Sequence, residues 1–552
     1  MQNNKLHNTI LALIIITPIC ITAYKNQQLL SPLIFSLALI TILLLLTSCL
    51  SKKLARTIIV SYGFILAAQI ITICLTGNYI DAVALSNLDE YTAIPQSTVL
   101  QIITVIALYI LLSFSIKLPT RKLSKKLYAS LGALFMLILA AAPLTELPIY
   151  SFIRLTSTTI MKYHQHKKTD TRIREQQKKL YGKDYIVMSP ESELITDVPN
   201  LKNKNVIVFF TEALSAKKID LFNNYPNLTP NLSAFVKKSV YFDNYYNHTF
   251  TTYRGLRGQL SSSYQYTGVS KSESSKKEFV SETFTTDLIT IPQVLNQNGY
   301  HTYFLSARAS KPSNLNTMLK TLKFEKVYAP EDFGIAADLS DRQLLNQLAD
   351  LVLHNKLKEP YFIAIYNIGT HFGEDSPDIK YHNGNNNLLN NIHNFDNIFG
   401  KWLNSITAQK DIINHTAIIL TADHAAFADK QYCKTFGYEP EYWVDKIPLA
   451  VYAAEAQPQI IDAKGRNSLD LTPTILHMLR INKAPNYFLG CSLFKPTCIR
   501  PFDHYTIGGE IFYKTQGSHV ISKPSLESWD LNILHKIEDF YHLSESTSPS
   551  DN

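Results

Sequence analysis

Residues 205–215 read NVIVFFTEALS, an uncharged run rich in Val, Ile and Phe that leads directly into Glu212. A short apolar run of β-branched and aromatic residues is typical of a strand that is buried on both faces of a parallel sheet. Open α/β sheets place their chemistry outside the carboxyl ends of the strands. We therefore expect Glu212 to lie at the functional edge of a mostly parallel sheet.

Two later stretches repeat this arrangement. Residues 415–424, HTAIILTADH, indicate a buried strand that ends in Asp423 and His424. Residues 359–367, EPYFIAIYN, indicate another, and His371 follows it. Because the carboxyl ends of parallel strands share one edge, we expect these side chains to lie close to Glu212.

Two shorter segments add to this pattern. Thr229 and Pro230 predict an N-cap followed by the first position of a helix. Residues 446–452, KIPLAVY, indicate a further strand.

A pair of threonines opens a further candidate segment, HTFTTYRGLRGQLSS, at residues 248–262. The pattern predicts a helix that begins near Thr251 or Thr252, and the positive end of a helix dipole favours an alkoxide and an incoming phosphate. Arg254 offers a planar set of donors for phosphate oxygens. The plainer alternative is that one threonine caps the helix and that Arg254 and Arg257 are surface charges.

Glu212, Asp423 and His424 together offer two carboxylates and one imidazole. This set suits a divalent metal, with Zn²⁺ preferred and Mn²⁺ as the alternative. Thr252 is expected to complete the ligand set as an alkoxide, because coordination lowers the pKa of a hydroxyl. Thr252 would then be a nucleophile toward phosphorus and would form a covalent phospho-threonine. The competing interpretation is that Asp-His after a strand is only a hydrogen-bonded turn.

The first 150 residues differ sharply from the remainder, because five apolar segments there approach the roughly 20 residues that cross a bilayer. They are residues 6–24, 29–50, 57–75, 99–116 and 127–147. Basic residues cluster in alternate loops, whereas the loops on the other side contain Lys25 alone. This charge pattern predicts a cytoplasmic N-terminus and an extracytoplasmic C-terminal domain. We interpret the first segment as an uncleaved helix, with a signal peptide as the alternative.

The predicted organisation has four parts. Residues 1–149 form a transmembrane domain of five helices, and residues 150–195 form a basic linker, either an interfacial helix or a solvated spacer. Residues 196–529 form the catalytic domain, and residues 530–552 form a polar tail. Cys491 and Cys498 are candidates for a disulfide in an oxidising compartment. We expect no nucleic-acid partner.

A series of motifs along the chain resembles the sulfatase (alkaline-phosphatase-like) superfamily. In order, they are FFTEALS, the TPNL helix, the threonine turn, THFG, TADH, KIPLAVY and DLTPTILHML…LGCSLF. With the apolar N-terminal half, the chain resembles the membrane-anchored phosphoethanolamine transferases of lipopolysaccharide and the lipoteichoic acid synthases. The resemblance implies a C-terminal α/β domain of the alkaline-phosphatase/sulfatase type. It also implies that the protein lies in a bacterial inner membrane with its catalytic domain in the periplasm.

The resemblance also implies roles for individual residues. Glu212, Asp423 and His424 match the metal ligands, Thr252 matches the nucleophile, and His371 matches the histidine that meets the substrate phosphate. Thr251 is the competing nucleophile. Many lipid A transferases carry a second histidine after the DH motif, and this sequence has none between its DH motif and residue 446.

The implied function is transfer of a phospholipid headgroup, phosphoethanolamine first, through a phospho-threonine onto an envelope glycan such as lipopolysaccharide. A phosphoglycerol transferase and a phosphodiesterase or phosphatase of the same fold are the alternatives, and a non-enzymatic receptor is a third. Sulfate ester hydrolysis is disfavoured, because sulfatases need a formylglycine made from Cys or Ser. The Cβ methyl of Thr252 prevents that conversion.

Overall fold

The structure is a computed structural model, and the chain divides into two compact units, Met1–Lys167 and Lys168–Asn552. The described residues are 51–76, 96–115, 198–264, 289–310, 315–371, 378–440, 444–481, 488–495, 504–508 and 511–521. The predicted linker at 150–195 and the predicted tail at 530–552 lie outside these residues.

Two helices are described in the N-terminal unit, α1 (Lys52–Thr76) and α2 (Gln96–Ser115), and they pack against each other. They coincide with the third and fourth predicted membrane spans. Among the helices in the described part of the chain, none combines the length and the apolar character needed to cross a membrane. The other three predicted spans lie outside the described residues.

The second unit is an α/β domain built on an eight-stranded sheet with a separate three-stranded sheet near its end. The strands are β1 (Asn205–Thr211), β2 (Val240–Asp243), β3 (His301–Ser306), β4 (Lys326–Tyr328), β5 (Tyr361–Tyr366), β6 (Thr416–Ala422), β7 (Ala450–Tyr452), β8 (Gln459–Asp462), β9 (Tyr505–Gly508), β10 (Ile511–Gln516) and β11 (His519–Ile521). The large sheet has the order β4-β3-β5-β1-β6-β7-β2-β8. Only β7 runs antiparallel to its neighbours, which confirms a mostly parallel sheet.

Helices connect these strands. They are α3 (Pro230–Lys237), α4 (Thr252–Ser261), α5 (Ile291–Gln297), α6 (Leu315–Thr321), α7 (Asp341–Leu353), α8 (Asn387–Thr407), α9 (Lys410–Ile413), α10 (Lys430–Phe436) and α11 (Leu471–Met478). Short 3₁₀ turns lie at Ala216–Lys218, Asp220–Phe222, Pro330–Phe333 and Ser468–Asp470. The α/β pattern expected from the sequence is therefore present over most of the second unit.

The strands β1, β5 and β6 form the centre of the sheet, and every residue of all three is buried. The uncharged sequences of these strands explain this position, because a central strand must pack apolar side chains on both faces. Phe209 of β1, for example, packs edge-on against Phe399 and Trp402 of α8. The carboxyl ends of the three strands lie side by side and point toward the candidate site.

Two local predictions need correction. Thr229 precedes α3 as predicted, but its side chain makes no capping hydrogen bond. The buried Asp396 of α8 instead accepts hydrogen bonds from the backbone N–H groups of Asn231 and Leu232 at 3.3 and 2.7 Å. A carboxylate from a distant helix thus satisfies donors that a local cap usually satisfies.

The strand expected at residues 446–452 is shorter than predicted. It begins only at Ala450, and Lys446 forms an isolated bridge with Tyr246. Pro448 lies between them and has no N–H group to donate to a neighbouring strand, which explains the late start. Cys491 is disulfide-bonded, and Cys498, its predicted partner, lies outside the described residues.

Candidate functional site

The parallel register of β1 and β6 brings Glu212 and Asp423 together. Thr211 pairs with Ala422 at the ends of the two strands, so the next residues leave the sheet at the same edge. Glu212 is 0% and Asp423 1% exposed. Burial of two carboxylates so close together carries a large cost unless a positive charge compensates them.

Glu212, Asp423 and His424 offer three ligand atoms that all lie within 4.8 Å of one another. Glu212 Oε1 and Asp423 Oδ2 are buried and accept no hydrogen bond from the described residues. Each of these oxygens lies 3.4 Å from His424 Nε2. Two unsatisfied carboxylate oxygens and an imidazole nitrogen that converge on one point fit a divalent metal ion.

The remaining polar atoms of these residues are occupied in ways that fix the ligand atoms. Asp423 Oδ1 accepts the backbone N–H groups of Ala213 at 2.9 Å and His424 at 2.8 Å. His424 Nδ1 lies 2.7 Å from the carbonyl oxygen of Ala425, to which it donates its proton. Hydrogen bonds of this kind orient metal ligands before the metal binds.

The three ionisable groups of the cluster shift one another's pKa values. Burial and the negative charge of Glu212 raise the pKa of Asp423. Burial also acts to raise the pKa of Glu212, but the nearby imidazole of His424 outweighs it, so this pKa lies below its usual range. Burial opposes the charged form of His424, yet the charges of Asp423 and Glu212 raise its pKa. The imidazole therefore compensates the two buried carboxylates in part, and a divalent cation among the same atoms would compensate them further.

Thr252 is hydrogen-bonded to this cluster. It is the first residue of α4, and its Oγ1 donates to Glu212 Oε2 at 3.1 Å. Glu212 therefore joins the two parts of the site, because Oε1 faces His424 and Oε2 faces the threonine hydroxyl. Thr252 is only 9% exposed, so little water competes for its hydroxyl.

Thr251, the alternative nucleophile, has a different role in the backbone. It precedes α4 with φ +70° and ψ 148°, and its side chain makes no capping hydrogen bond. A positive φ is strained for a β-branched residue, and such strain often marks functional turns. The capping alternative for Thr251 is therefore wrong, and the strained turn directs Thr252 toward Glu212.

The helix α4 is fixed to the end of β6 by two close contacts. A Cβ atom added at Gly255 would lie 2.1 Å from the carbonyl oxygen of Asp423. Gln259 Nε2 donates to the carbonyl oxygens of Ala422 at 2.9 Å and Asp423 at 3.0 Å. The start of α4 is thereby positioned on the backbone that carries the metal-ligand pair.

The residues after β5 form a loop that is tied to Glu212. Asn367 Oδ1 accepts the backbone N–H of Glu212 at 3.1 Å, and the Thr370 hydroxyl donates to the Glu212 carbonyl at 2.7 Å. Asp341 Oδ1 accepts from Asn367 Nδ2 and from the Gly369 N–H, both at 3.1 Å. His371 follows Thr370 and is half-buried, and its proximity acts to lower the pKa of Glu212.

Arg254 and Arg257 are both buried, at 0% and 5% exposure, so the interpretation as surface charges is wrong. Arg254 lies on the first turn of α4, two residues after Thr252. Its role in phosphate binding stays a prediction.

Two residues of the site were not anticipated from the sequence. Tyr366, the last residue of β5, donates its hydroxyl to Glu212 Oε2 and lies 3.4 Å from Thr252 Oγ1. Lys218 is buried and donates to the carbonyl oxygen of Ala213 at 2.7 Å. Burial lowers the pKa of Lys218 to about 8, although the charges of nearby carboxylates, Glu212 first, oppose this change. The signal for Tyr366 was a hydroxyl at the end of an otherwise apolar strand.

Comparison with solved structures shows similarity in the fold. A protein of the alkaline phosphatase superfamily from Vibrio parahaemolyticus is 20% identical, with a TM-score of 0.51 over 68% of this chain and 95% of that one. The lipoteichoic acid synthase LtaP from Listeria monocytogenes is 16% identical, with a TM-score of 0.52 over 68% and 99%. The integral membrane lipooligosaccharide phosphoethanolamine transferase EptA from Neisseria meningitidis is 13% identical, with a TM-score of 0.47 over 82% and 88%.

No curated protein matches the sequence. The profile of the sulfatase family matches residues 204–481, which is half of the chain. The match begins just before β1 and ends just after α11, so it includes every residue of the candidate metal cluster. The protein is therefore a member of the sulfatase family.

Proposed function

We propose that the protein is a transferase that moves a phospholipid headgroup onto an envelope glycan through a phospho-threonine at Thr252. The observation that carries this proposal is that the two oxygens of the Glu212 carboxylate face different groups. One oxygen faces the metal-ligand cluster and the other accepts the hydroxyl of Thr252 at 3.1 Å. A hydroxyl nucleophile beside a divalent-metal site, at the start of a helix, suits the attack on a phosphodiester.

Glu212, Asp423 and His424 would hold the metal, with Zn²⁺ the first choice and Mn²⁺ the alternative, and Thr252 would add its oxygen to the set. When bound, the metal supplies a Lewis acid that favours the deprotonated hydroxyl and neutralises charge on the phosphate.

The first half-reaction forms a bond between Thr252 Oγ1 and the phosphorus of the lipid headgroup. The hydroxyl proton leaves toward Glu212 Oε2, its hydrogen-bond acceptor. The bond from phosphorus to the glycerol oxygen of the lipid breaks, and that oxygen takes up the proton that Thr252 released. Diacylglycerol thus leaves neutral, and Glu212 is again a carboxylate. In the second half-reaction an acceptor hydroxyl attacks the same phosphorus, and Thr252 regains its proton.

His371 and Arg254 are the proposed contacts to the non-bridging phosphate oxygens. His371 lies just after a loop that is tied to both backbone groups of Glu212, so its position follows that of the metal ligand. Arg254 lies in the first turn of α4, where the helix dipole also favours negative charge.

Phosphatidylethanolamine is the proposed donor, phosphatidylglycerol is the close alternative, and lipopolysaccharide or another envelope glycan is the acceptor. A membrane anchor would hold the enzyme beside a donor that never leaves the bilayer, which agrees with the five predicted spans. Large apolar side chains on both described N-terminal helices are more than half exposed, namely Phe64, Leu100, Ile103 and Leu111. We propose an inner-membrane protein in which residues 1–149 anchor a periplasmic catalytic domain at 196–529.

The test uses the full chain, purified in detergent with Zn²⁺ and incubated with lipopolysaccharide and with fluorescent phosphatidylethanolamine or phosphatidylglycerol. We expect released diacylglycerol and a mass increase of one phosphoethanolamine on the peptide that contains Thr252. A phosphoglycerol adduct would identify phosphatidylglycerol as the donor instead. Diacylglycerol without any protein adduct would contradict the covalent mechanism, and free headgroup without a modified glycan would make the protein a hydrolase.

The close approach of α4 to β6 predicts a large effect of Gly255→Ala. The added methyl group cannot lie 2.1 Å from the Asp423 carbonyl oxygen, so the start of the helix must move. A displacement of about 1 Å at a reacting group can lower a rate about 100-fold. We expect a loss of this order in adduct formation and roughly 1–3 kcal/mol of destabilisation, measured by mass spectrometry and chemical denaturation. Adduct formation at the wild-type rate would contradict this account of how the nucleophile is positioned.

A further inference from the structure

Tyr366 occupies a central position in the site. It ends β5, where it pairs with Phe210 of β1, and it is 1% exposed. Because β5 lies directly beside β1, the tyrosine hydroxyl reaches the carboxylate of Glu212, two residues beyond that pair. The hydroxyl donates to Glu212 Oε2 and lies 3.4 Å from Thr252 Oγ1.

The Glu212 carboxylate must keep a defined orientation for the proposed reaction. The terminal torsion of a glutamate is soft, so hydrogen bonds decide where each oxygen points. Oε2 accepts two hydroxyls, from Thr252 and from Tyr366, while Oε1 is left to face His424 Nε2 at 3.4 Å. If Oε2 lost these donors, the carboxylate could rotate and withdraw Oε1 from the metal-ligand cluster.

The two donors to Oε2 differ in one respect that matters during catalysis. Once Thr252 Oγ1 is bonded to phosphorus it carries no proton and cannot donate to Glu212. Tyr366 keeps its proton in that state and remains the donor to Oε2. The second half-reaction therefore depends on Tyr366 more than the first.

We propose that Tyr366 is a positioning residue that holds Glu212 in its ligand orientation while Thr252 carries the headgroup. The part of this proposal that concerns the phospho-threonine rests on the proposed function. The part that concerns the metal rests only on the geometry of Glu212.

Tyr366→Phe removes the hydroxyl and keeps the ring in the sheet. Loss of a hydrogen bond that orients a metal ligand typically lowers metal affinity or activity about 10–100-fold. We expect Zn²⁺ affinity, measured by chelator competition on the full chain without lipid, to fall by about tenfold or more. With saturating Zn²⁺ and fluorescent phosphatidylethanolamine, the breakdown of the Thr252 adduct should slow more than its formation. The adduct should therefore accumulate above the wild-type steady-state level, while KM for the lipid changes little.

Tyr381→Phe is the matched control. Tyr381 is also buried, and its hydroxyl donates to the carbonyl oxygen of Pro226 at 2.8 Å, outside the site. This variant loses one hydrogen bond of the same kind and should keep wild-type metal affinity and adduct levels. Equal Zn²⁺ affinities in the two variants, or equal adduct levels, would overturn the proposal. If the wild-type protein forms no adduct, the proposed function fails, and the affinity comparison still tests the role of Tyr366.

Discussion

Thr252→Ala is expected to abolish formation of the covalent adduct and to lower headgroup transfer by at least about 1,000-fold. Thr252 begins α4, and its Oγ1 is hydrogen-bonded to Glu212 Oε2, so the substitution removes the proposed nucleophile from the site. The fold should survive, since the substitution removes one small side chain at a helix start. The loss should appear in kcat rather than in lipid binding, because the hydroxyl takes part in the reaction itself.

Thr251→Gly is the informative control for that experiment. Thr251 has φ +70°, a conformation that glycine adopts without strain, so the replacement removes the competing hydroxyl at little cost to the turn. We expect the glycine variant to form the adduct at a rate within a few-fold of wild type. If Thr251→Gly abolished the adduct and Thr252→Ala did not, the nucleophile would be Thr251.

Asp423→Asn is expected to have the second largest effect, with opposite consequences for metal binding and for stability. The asparagine keeps an acceptor for the N–H groups of Ala213 and His424, which lie 2.9 and 2.8 Å from Asp423 Oδ1. It replaces the ligand oxygen Oδ2 with an NH₂ group, which does not bind a cation. We expect Zn²⁺ affinity to fall by at least about 100-fold, which is more than the loss of a hydrogen bond to a metal ligand causes, and transfer to be lost with it.

The metal-free Asp423→Asn protein should nevertheless be more stable than metal-free wild type. Glu212 and Asp423 are buried beside each other, and their facing oxygens lack hydrogen bonds. The amide removes one negative charge and offers a donor to Glu212 Oε1, which should raise the free energy of unfolding by roughly 1–3 kcal/mol. Thermal unfolding with chelator and with excess Zn²⁺ measures both effects. Zn²⁺ should raise the Tm of the wild type and leave that of the variant unchanged.

Asp396→Asn controls for the loss of a buried carboxylate outside the site. Asp396 accepts backbone N–H groups at the start of α3 and contacts no metal-ligand atom. This variant should lose stability and retain the Zn²⁺-dependent rise in Tm. An Asp423→Asn protein that behaved in the same way would remove Asp423 from the ligand set.

The sequence predicted the centre of the sheet well, and the physical reason is that β1, β5 and β6 are buried on both faces. Their uncharged composition reports this burial directly, and the ligands follow at the strand ends. The residues that contact those ligands were harder to predict from the sequence. Tyr366 contributes to the site only because β5 lies next to β1, and that order is a property of the whole sheet.

Contacts between distant elements explain the other differences. Asp396 caps α3 from a helix far along the chain. The local Thr229-Pro230 pattern therefore predicted the helix correctly, but Thr229 is not the residue whose side chain accepts the N–H groups at its start. The burial of Arg254 likewise depends on how the whole of α4 packs, because the helix buries nearly every residue along its length. Local sequence patterns predicted the helices and strands, whereas the packing of these elements determines which polar groups contact one another.

The attachment of α4 through Gly255 and Gln259 has a consequence for how such a site can change over time. Both contacts are made to main-chain carbonyls of Ala422 and Asp423, and neither uses a metal-binding side chain. Substitutions that alter which ion is preferred would thus leave the attacking group in register with the strand. Related proteins with this attachment can therefore change or lose the metal ion while the nucleophile keeps its position.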